Sequence, residues 1–218
     1  MSDWPAAILW DMDGTLVDTE PSWIAAEYAL VAEHGGTWSD EHAHALVGQN
    51  LLTSGAYIRE HGPVPLDPAQ IVEVLLAHVV ADLRRHVPWR PGVVDLLELQ
   101  AAAGVPAALV TMSYRPLADA LVRALPEGTF SAVVTGDEVS HGKPHPEPYL
   151  RAASMLGLRP GDCLAVEDSR PGTASALAAG VPTLGVPHLV TLDEAPGQVL
   201  RPTLQGLDQD QLRAMFGR

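Results

Sequence analysis

A chain of 218 residues carries a formal net charge of −14, because 27 aspartate and glutamate residues outnumber 13 lysine and arginine residues. Its hydrophobic fraction of 47% and charged fraction of 18% are typical of a folded globular protein and exclude collagen-like, coiled-coil and disordered chains. A chain this acidic repels nucleic-acid phosphates and anionic lipid, so we expect it to bind neither nucleic acid nor membrane.

The first residues and the cysteine content bear on the compartment. The segment Met1-Ser-Asp-Trp-Pro5 lacks the basic region of a signal peptide, and the apolar run that follows is too short to span a membrane. The single cysteine, Cys163, lies in an apolar run, which excludes an internal disulfide and a cysteine-based zinc cluster. We therefore expect a cytoplasmic protein, and we expect it to be a monomer.

Short apolar runs alternate with amphipathic stretches of helical length along most of the chain. This alternation predicts right-handed strand–helix–strand units and therefore an α/β fold, a doubly wound parallel sheet covered by helices on both faces. The expected strands are 6–10, 105–110, 131–134, 163–166 and 181–186, and the expected helices between them are 93–103, 116–124, 147–156 and 171–179.

The alternation is interrupted after the first strand. Residues 18–87 show helical spacing and no convincing strand, which predicts an all-helical cap inserted into a core domain made of residues 1–17 and 88–218. The tail from residue 198 onwards offers one short helix, with Asp208 as its N-cap. The four cap helices are expected at 21–33, 40–47, 51–60 and 68–86.

Ligands of open α/β sheets bind at the carboxyl ends of the strands, and the first strand of this chain ends in acids. The segment Asp11-Met-Asp13-Gly14-Thr15 places two carboxylates ahead of a glycine that can take a tight turn. A capped turn would also fit this segment taken alone. A calcium-binding EF-hand loop would need glycine at its sixth position and glutamate at its twelfth, which the segment does not have.

Two other strand ends also carry polar side chains. Thr111, Met112 and Ser113 follow the second core strand, where hydroxyls and backbone N–H groups at a helix start suit a phosphate oxygen. Threonine and serine are also ordinary helix caps. Glu167, Asp168 and Ser169 follow the fourth core strand and add two acids, although Ser169 or Asp168 could equally cap the next helix.

A single lysine, Lys143, stands among 12 arginines. This usage favours a compact ammonium held among carboxylates over a solvated lysine in a proline-rich turn. The spacing from Gly136 to Gly142 excludes a Walker A loop. His141 and His145 flank Lys143 and either reach the site or lie exposed in the loop. Facing carboxylates without an arginine cluster indicate a divalent metal, and all-oxygen ligands favour Mg²⁺.

Taken together, these segments resemble the motifs of the haloacid dehalogenase superfamily of aspartate-nucleophile phosphohydrolases, in the branch with a helical cap after the first motif. The resemblance covers the whole chain and implies a Mg²⁺-dependent phosphatase of small phosphorylated metabolites, chiefly sugar monophosphates. The matching motifs are Asp11-x-Asp13-Gly-Thr, Thr111, Lys143 and Glu167-Asp168.

The resemblance also implies a role for each residue. Asp11 would be the nucleophile that forms an aspartyl phosphate, and Asp13 the general acid and base. Mg²⁺ would be held by Asp11, by the backbone carbonyl of Asp13 and by Asp168, with Glu167 acting through water or as a support. The groups implied to bind the phosphoryl oxygens are Gly14, Thr15, Thr111, Met112, Ser113 and Lys143.

Two alternatives stay open. A phosphohexomutase of the same branch typically has a histidine twelve residues after the nucleophile, where this chain has Trp23, and an arginine after the cap glycine, where it has Gln49. Both departures favour hydrolysis. A catalytically silent ligand-binding regulator is the other alternative, and the intact motifs count against it. Glu20, Trp23 and Gln49 are the cap residues expected to contact substrate, although Glu20 could simply be a first-turn helix acid.

Overall fold

The computed structural model describes residues 5–216, with the side chain of Phe216 left out. The chain divides into two compact units. One comprises the segment up to Asp18 together with the chain from Trp89 onwards, and the other is Thr19–Pro88.

The first unit is built on a parallel sheet of six strands, in the order β3-β2-β1-β4-β5-β6. Its central strand β1 pairs with β2 on one side and with β4 on the other, so strand order reverses beside β1. The predicted doubly wound parallel sheet is therefore confirmed. The strands are β1 (Ala7–Trp10), β2 (Ala107–Val110), β3 (Ala132–Val134), β4 (Cys163–Glu167), β5 (Thr183–Gly185) and β6 (Gln198–Leu200).

Helices cover both faces of this sheet. Leu9 packs in a buried cluster with Tyr149 and Ala176 on one face, whereas the indole Nε1 of Trp10 donates a 2.9 Å hydrogen bond to Gln100 Oε1 on the other. Because neighbouring residues of β1 are buried on opposite faces, the strand reads as a continuous apolar run. The helices of this unit are α5 (Val93–Ala102), α6 (Arg115–Val122), α7 (Glu147–Met155), α8 (Arg170–Ala178) and α9 (Gln209–Phe216).

The expectation that the tail holds only a helix is wrong, because Gln198–Leu200 forms the edge strand β6 beside β5. Three half-buried residues at a sheet edge are too short to show a period of two, which is why the sequence pattern missed them. The tail helix itself starts as predicted. Asp208 Oδ1 accepts a 2.8 Å bond from Gln211 N, and Gln211 Oε1 accepts a 3.1 Å bond from Asp208 N.

The second unit is helical over its described length. Its helices pack around a cluster that includes Leu30, Trp38, Ile58 and Ile71. No helix among the described residues is both long and apolar enough to cross a membrane. The helices are α1 (Glu20–Glu33), α2 (Asp40–Leu46), α3 (Leu51–His61) and α4 (Pro68–Arg85).

Candidate active site

The polar residues that follow β1, β2 and β4 meet at one edge of the sheet. The backbone of Asp11 stays in the β-ladder, donating from its N to Val166 O at 3.0 Å, and Thr111 does the same towards Val134 O at 3.0 Å. These bonds fix the side chains that leave the strand ends. Asp11, Thr111 and Asp168, which are separated widely in sequence, are all buried there.

Lys143 joins Asp11, which follows β1, to Glu167 at the end of β4. Its Nζ donates to Asp11 Oδ1 at 2.6 Å, to Glu167 Oε1 at 2.6 Å and to the backbone oxygen of Val110 at 2.8 Å. The side chain is only 5% exposed. An ammonium group has three N–H donors, and here each has an acceptor, a pattern that a planar guanidinium could not reproduce.

Glu167 has its carboxylate oxygens occupied by donors from the protein. Oε1 accepts from Lys143 and, at 2.8 Å, from the hydroxyl of Tyr149. Oε2 accepts from the N–H groups of Asp168 and Ser169 and from the Ser169 hydroxyl, at 3.2, 3.4 and 3.1 Å. This carboxylate is therefore placed to hold Lys143 in position.

The turn after β1 packs against the side chain of Asp168 and donates a hydrogen bond to it. Gly14 has a φ of +88°, and a Cβ atom at this position would lie 2.1 Å from Asp168 Oδ2, so both the backbone conformation and the close approach require glycine. The hydroxyl of Thr15 donates to Asp168 Oδ1 at 3.1 Å. Motifs 153 residues apart are thereby joined.

The second acid of the first motif is held by hydroxyl groups. Asp13 Oδ2 accepts bonds from Ser113 Oγ at 2.8 Å and from Thr111 Oγ1 at 3.2 Å. Thr111 Oγ1 in turn accepts a 2.9 Å bond from Ser113 N. The segment after β2 thus orients the carboxyl group expected to move protons.

Met112 contacts the loop that carries Lys143. Its Sδ accepts a hydrogen bond from Lys143 N at 3.2 Å, and a Cβ atom on Gly136 would lie 2.1 Å from its backbone oxygen. The backbone N–H groups of Gly14 and Thr15 donate to Val17 O and Met12 O, at 2.7 and 3.3 Å. The phosphate-binding roles predicted for these segments stay predictions.

The acids of the site suit a hard divalent cation. One ligand oxygen from each of Asp11, Glu167 and Asp168 lies within 4.8 Å of the others, and the second oxygen of Asp11, Oδ2, is buried with no hydrogen-bond partner among the described residues. An all-carboxylate donor set with an unsatisfied oxygen fits Mg²⁺. Because Glu167 is occupied by protein donors, the available carboxylates are those of Asp11 and Asp168.

The charge balance of the site also favours a bound cation. Burial, together with the charge of Glu167, raises the pKa of Asp11 to about 7, although Lys143 acts in the opposite direction. Burial, Asp11 and Glu167 raise the pKa of Asp168 to about 8. Burial alone would lower the pKa of Lys143, but the two carboxylates that it contacts hold it above its usual range. The site therefore carries more negative charge than one ammonium can balance.

Tyr149 is a site residue that the motif analysis missed, whereas Ser169, expected as a possible helix cap, does cap α8 by accepting a 3.1 Å bond from Gly172 N. Both contact Glu167, and Tyr149 is fully buried on α7. A tyrosine on the apolar face of a helix usually finds a polar partner for its hydroxyl, and this was the available signal. Gly172 was also overlooked as a contact, since its Cβ would lie 2.0 Å from the Glu167 carboxylate.

The cap residues expected to contact substrate belong to the helical unit. Glu20 is the first residue of α1, Trp23 packs against the apolar cluster of that unit, and Gln49 is exposed just before α3. Their contact with substrate stays a prediction.

Comparisons with known proteins agree on one family. A family model for haloacid dehalogenase-like hydrolases matches residues 5–180. Protein CbbY of Rhodobacter capsulatus is 38% identical over 201 residues, covering 85% of this chain and 86% of that protein. Hexitol phosphatase A of Escherichia coli K12 is 33% identical over 180 residues, covering 82% and 81%. The crystal structure of a mutant CbbY from Rhodobacter sphaeroides with xylulose-(1,5)bisphosphate gives a TM-score of 0.82 at 30% identity, covering 93% and 96%.

Proposed function

Because this chain belongs to the haloacid dehalogenase-like hydrolases, we propose that it is a Mg²⁺-dependent phosphatase of small phosphorylated metabolites, with Asp11 as its nucleophile. The observation that carries the proposal is the pair of oxygens on Asp11. Lys143 binds Oδ1, while Oδ2 is buried without a hydrogen-bond partner among the described residues. A carboxylate that a lysine orients through one oxygen, and that keeps the other oxygen for Mg²⁺, is arranged as a nucleophile held beside the metal that binds the phosphoryl group.

The reaction proceeds in two displacements. Asp11 attacks phosphorus, an acyl phosphate bond forms, and the bond to the substrate oxygen breaks as Asp13 donates a proton to it. Water then attacks the same phosphorus while Asp13 accepts its proton, which releases inorganic phosphate and restores the Asp11 carboxylate. The hydroxyl of Ser113 keeps Asp13 in place for both proton transfers, so the more distant hydroxyl of Thr111 can turn from Asp13 towards a phosphoryl oxygen.

The surrounding groups stabilise the charge of the phosphoryl group. Lys143 supplies a positive charge beside Asp11, and Thr111 supplies a hydroxyl at the same edge. Asp11, Asp168 and the backbone carbonyl of Asp13 would hold Mg²⁺. When bound, the ion would neutralise the repulsion between the carboxylates and the substrate phosphate.

The charges of the helical unit favour a substrate with one phosphate. Residues 18–87 contain 3 arginines, no lysine and 10 acids. Arg59 pairs with Asp67 at 2.8 Å, and Arg85 pairs with Asp82. Two of the three cap arginines thus have carboxylate partners, which favours sugar or hexitol monophosphates over the bisphosphate bound by the CbbY relative.

The test is phosphate release from a panel containing a hexitol phosphate, glucose 1-phosphate and xylulose 1,5-bisphosphate, with Mg²⁺ and then with EDTA. We expect Mg²⁺-dependent release of inorganic phosphate, fastest on a monophosphate. Isomerisation of glucose 1-phosphate without net phosphate release would instead identify a phosphohexomutase. Absence of any metal-dependent turnover, on this panel and on p-nitrophenyl phosphate, would favour the silent ligand-binding protein.

A further inference from the structure

A second group of metal-ligating side chains lies on the loop that carries Lys143. It consists of His141, His145 and Glu147, and one ligand atom from each lies within 4.8 Å of the others. His141 Nδ1 is 3.0 Å from Glu147 Oε2, and the two imidazole rings have centroids 4.6 Å apart. None of these residues has a role in the proposed phosphatase reaction.

The two imidazoles contact different parts of Glu147. His141 Nδ1 lies against the carboxylate, whereas His145 Nδ1 accepts a 3.2 Å bond from the backbone N of Glu147, so His145 would exchange that bond for the ion or bind it through Nε2. Tetrahedral zinc bonds of about 2.0–2.1 Å place neighbouring ligand atoms about 3.3 Å apart, close to the separation of His141 Nδ1 and Glu147 Oε2. Small side-chain rotations would bring the third ligand into range.

Glu147 is held in its ionised form by the start of its own loop. Its carboxylate accepts bonds from Ser140 N at 2.7 Å and from His141 N at 3.0 Å. The Ser140 N–H contributes most to lowering the pKa of Glu147. Among the described residues, Oε1 accepts only the bond from Ser140 N and so keeps a second lone pair for an ion, whereas each oxygen of Glu167 accepts at least two bonds.

We propose that His141, His145 and Glu147 form a second metal site, for a borderline transition ion of the Zn²⁺ class, separate from the carboxylate site around Asp11. Two imidazoles and one carboxylate are the donor set of open zinc sites, whereas Mg²⁺ prefers oxygen ligands alone. The exposed histidines leave room for a water ligand.

An ion bound by the two histidines and Glu147 would stabilise the loop that positions Lys143. Lys143 lies between the two histidines in sequence, its backbone N binds Met112 Sδ, and its Nζ reaches Asp11. An ion bound across the loop would cross-link its two ends, and binding to the folded form alone stabilises that form. The proposal does not depend on the phosphatase activity.

The test is calorimetric titration of tag-free protein with Zn²⁺ in millimolar Mg²⁺, together with thermal unfolding. The variant is His141→Gln/His145→Gln. The matched control is His44→Gln/His86→Gln, which removes two other exposed histidines. Wild type and control should each bind one Zn²⁺ per chain, and a hundredfold excess over Kd should raise Tm by several degrees, roughly 5 °C. The variant should bind at least about tenfold more weakly.

Co²⁺ substitution adds a readout that is independent of stability. We expect the visible absorption of four-coordinate Co²⁺ in wild type and control, and its loss in the variant whether or not Mg²⁺ is present. Zn²⁺ binding that Mg²⁺ displaces, binding of equal strength in variant and wild type, or no binding at all would overturn the proposal. If wild type binds as expected but the variant fails to fold, Glu147→Gln gives the same comparison.

Discussion

In the α/β unit, the buried carboxylates of Asp11 and Glu167 share the ammonium of Lys143, whereas in the helical unit the buried carboxylate of Glu27 accepts a 3.1 Å bond from the neutral indole of Trp38. Burial raises a carboxyl pKa in both units, to about 7 for Asp11 and also for Glu27. The difference lies in how each buried acid is balanced. In the α/β unit, Lys143 and a proposed metal ion balance the negative charge of the buried acids. In the helical unit, a proton bound to Glu27 can neutralise that carboxylate.

Asp11→Asn should have the largest effect, because it removes the proposed nucleophile and keeps the shape of the side chain. We expect turnover of p-nitrophenyl phosphate to fall by at least about 10⁴-fold, since the loss of a nucleophile leaves only binding and electrostatic effects. The matched control Asp95→Asn changes an exposed acid on α5 and should retain activity. A folded Asp11→Asn protein with turnover close to wild type would refute the assignment.

Lys143→Met breaks the balance of charge at the same site. It leaves Asp11 and Glu167 buried without their cation, and loss of one partner from a buried ion pair costs about 3–5 kcal/mol of stability. Urea unfolding without added metal measures the change, with the exposed Arg123→Met as control. Lys143→Met/Glu167→Gln should recover at least about 1 kcal/mol, because it also removes one of the unpaired charges. If the losses of stability of the two single variants simply added in the double variant, repulsion between the unpaired acids would not be the cause of the loss in Lys143→Met.

Glu27→Gln tests whether a proton neutralises the buried acid of the helical unit, through the pH dependence of the free energy of unfolding. The pKa of Glu27 rises from an ordinary value of 4.5 to about 7 because of burial, with Trp38 opposing the shift and Glu20 adding to it. Between these values the unfolded chain loses a proton that the folded chain keeps, so stability falls as pH rises and levels off above about pH 7. Glu27→Gln should therefore gain about 3 kcal/mol relative to wild type between pH 4.5 and pH 7.5.

The measurement is the difference in free energy of unfolding between Glu27→Gln and wild type at each pH. Taking the difference cancels the contributions of Asp11 and Asp168, whose raised pKa values lie in the same range. Glu33→Gln, an exposed change on the same helix, is the matched control. An equal slope in wild type and Glu27→Gln would mean that Glu27 is already ionised in the folded protein.

The sequence predicted the parts of the site that follow strand ends, and it missed the parts that depend on packing between elements. Asp11 and Lys143 are recognisable because their residue types stand out against an apolar strand and an arginine-rich chain. Tyr149 reaches Glu167 only after α7 packs on the sheet, and a tyrosine in a helix gives no local sign of its partner. Glu27 is similar, since its spacing on α1 does not show that Trp38 from a later segment will cover it.

Tyr149→Phe sharpens the comparison at the level of a single hydrogen bond. Its hydroxyl donates to Glu167 at 2.8 Å in a buried site, whereas that of Tyr28 donates to Asp40 at 2.6 Å on the exposed side of the helical unit. A buried bond to a charged acceptor contributes about 1.5 kcal/mol or more, while water replaces an exposed one, so Tyr28→Phe should stay within about 0.5 kcal/mol.

Urea unfolding of the two phenylalanine variants under identical conditions gives both values. Tyr149→Phe should also lower kcat while leaving KM nearly unchanged, because it loosens Glu167 and thereby Lys143 beside the nucleophile. Tyr28→Phe has no such route to the reacting atoms and should keep wild-type kcat. Equal losses of stability in both variants, with kcat intact in both, would mean that Lys143 and the donors of Asp168 and Ser169 position Glu167 without the Tyr149 hydroxyl.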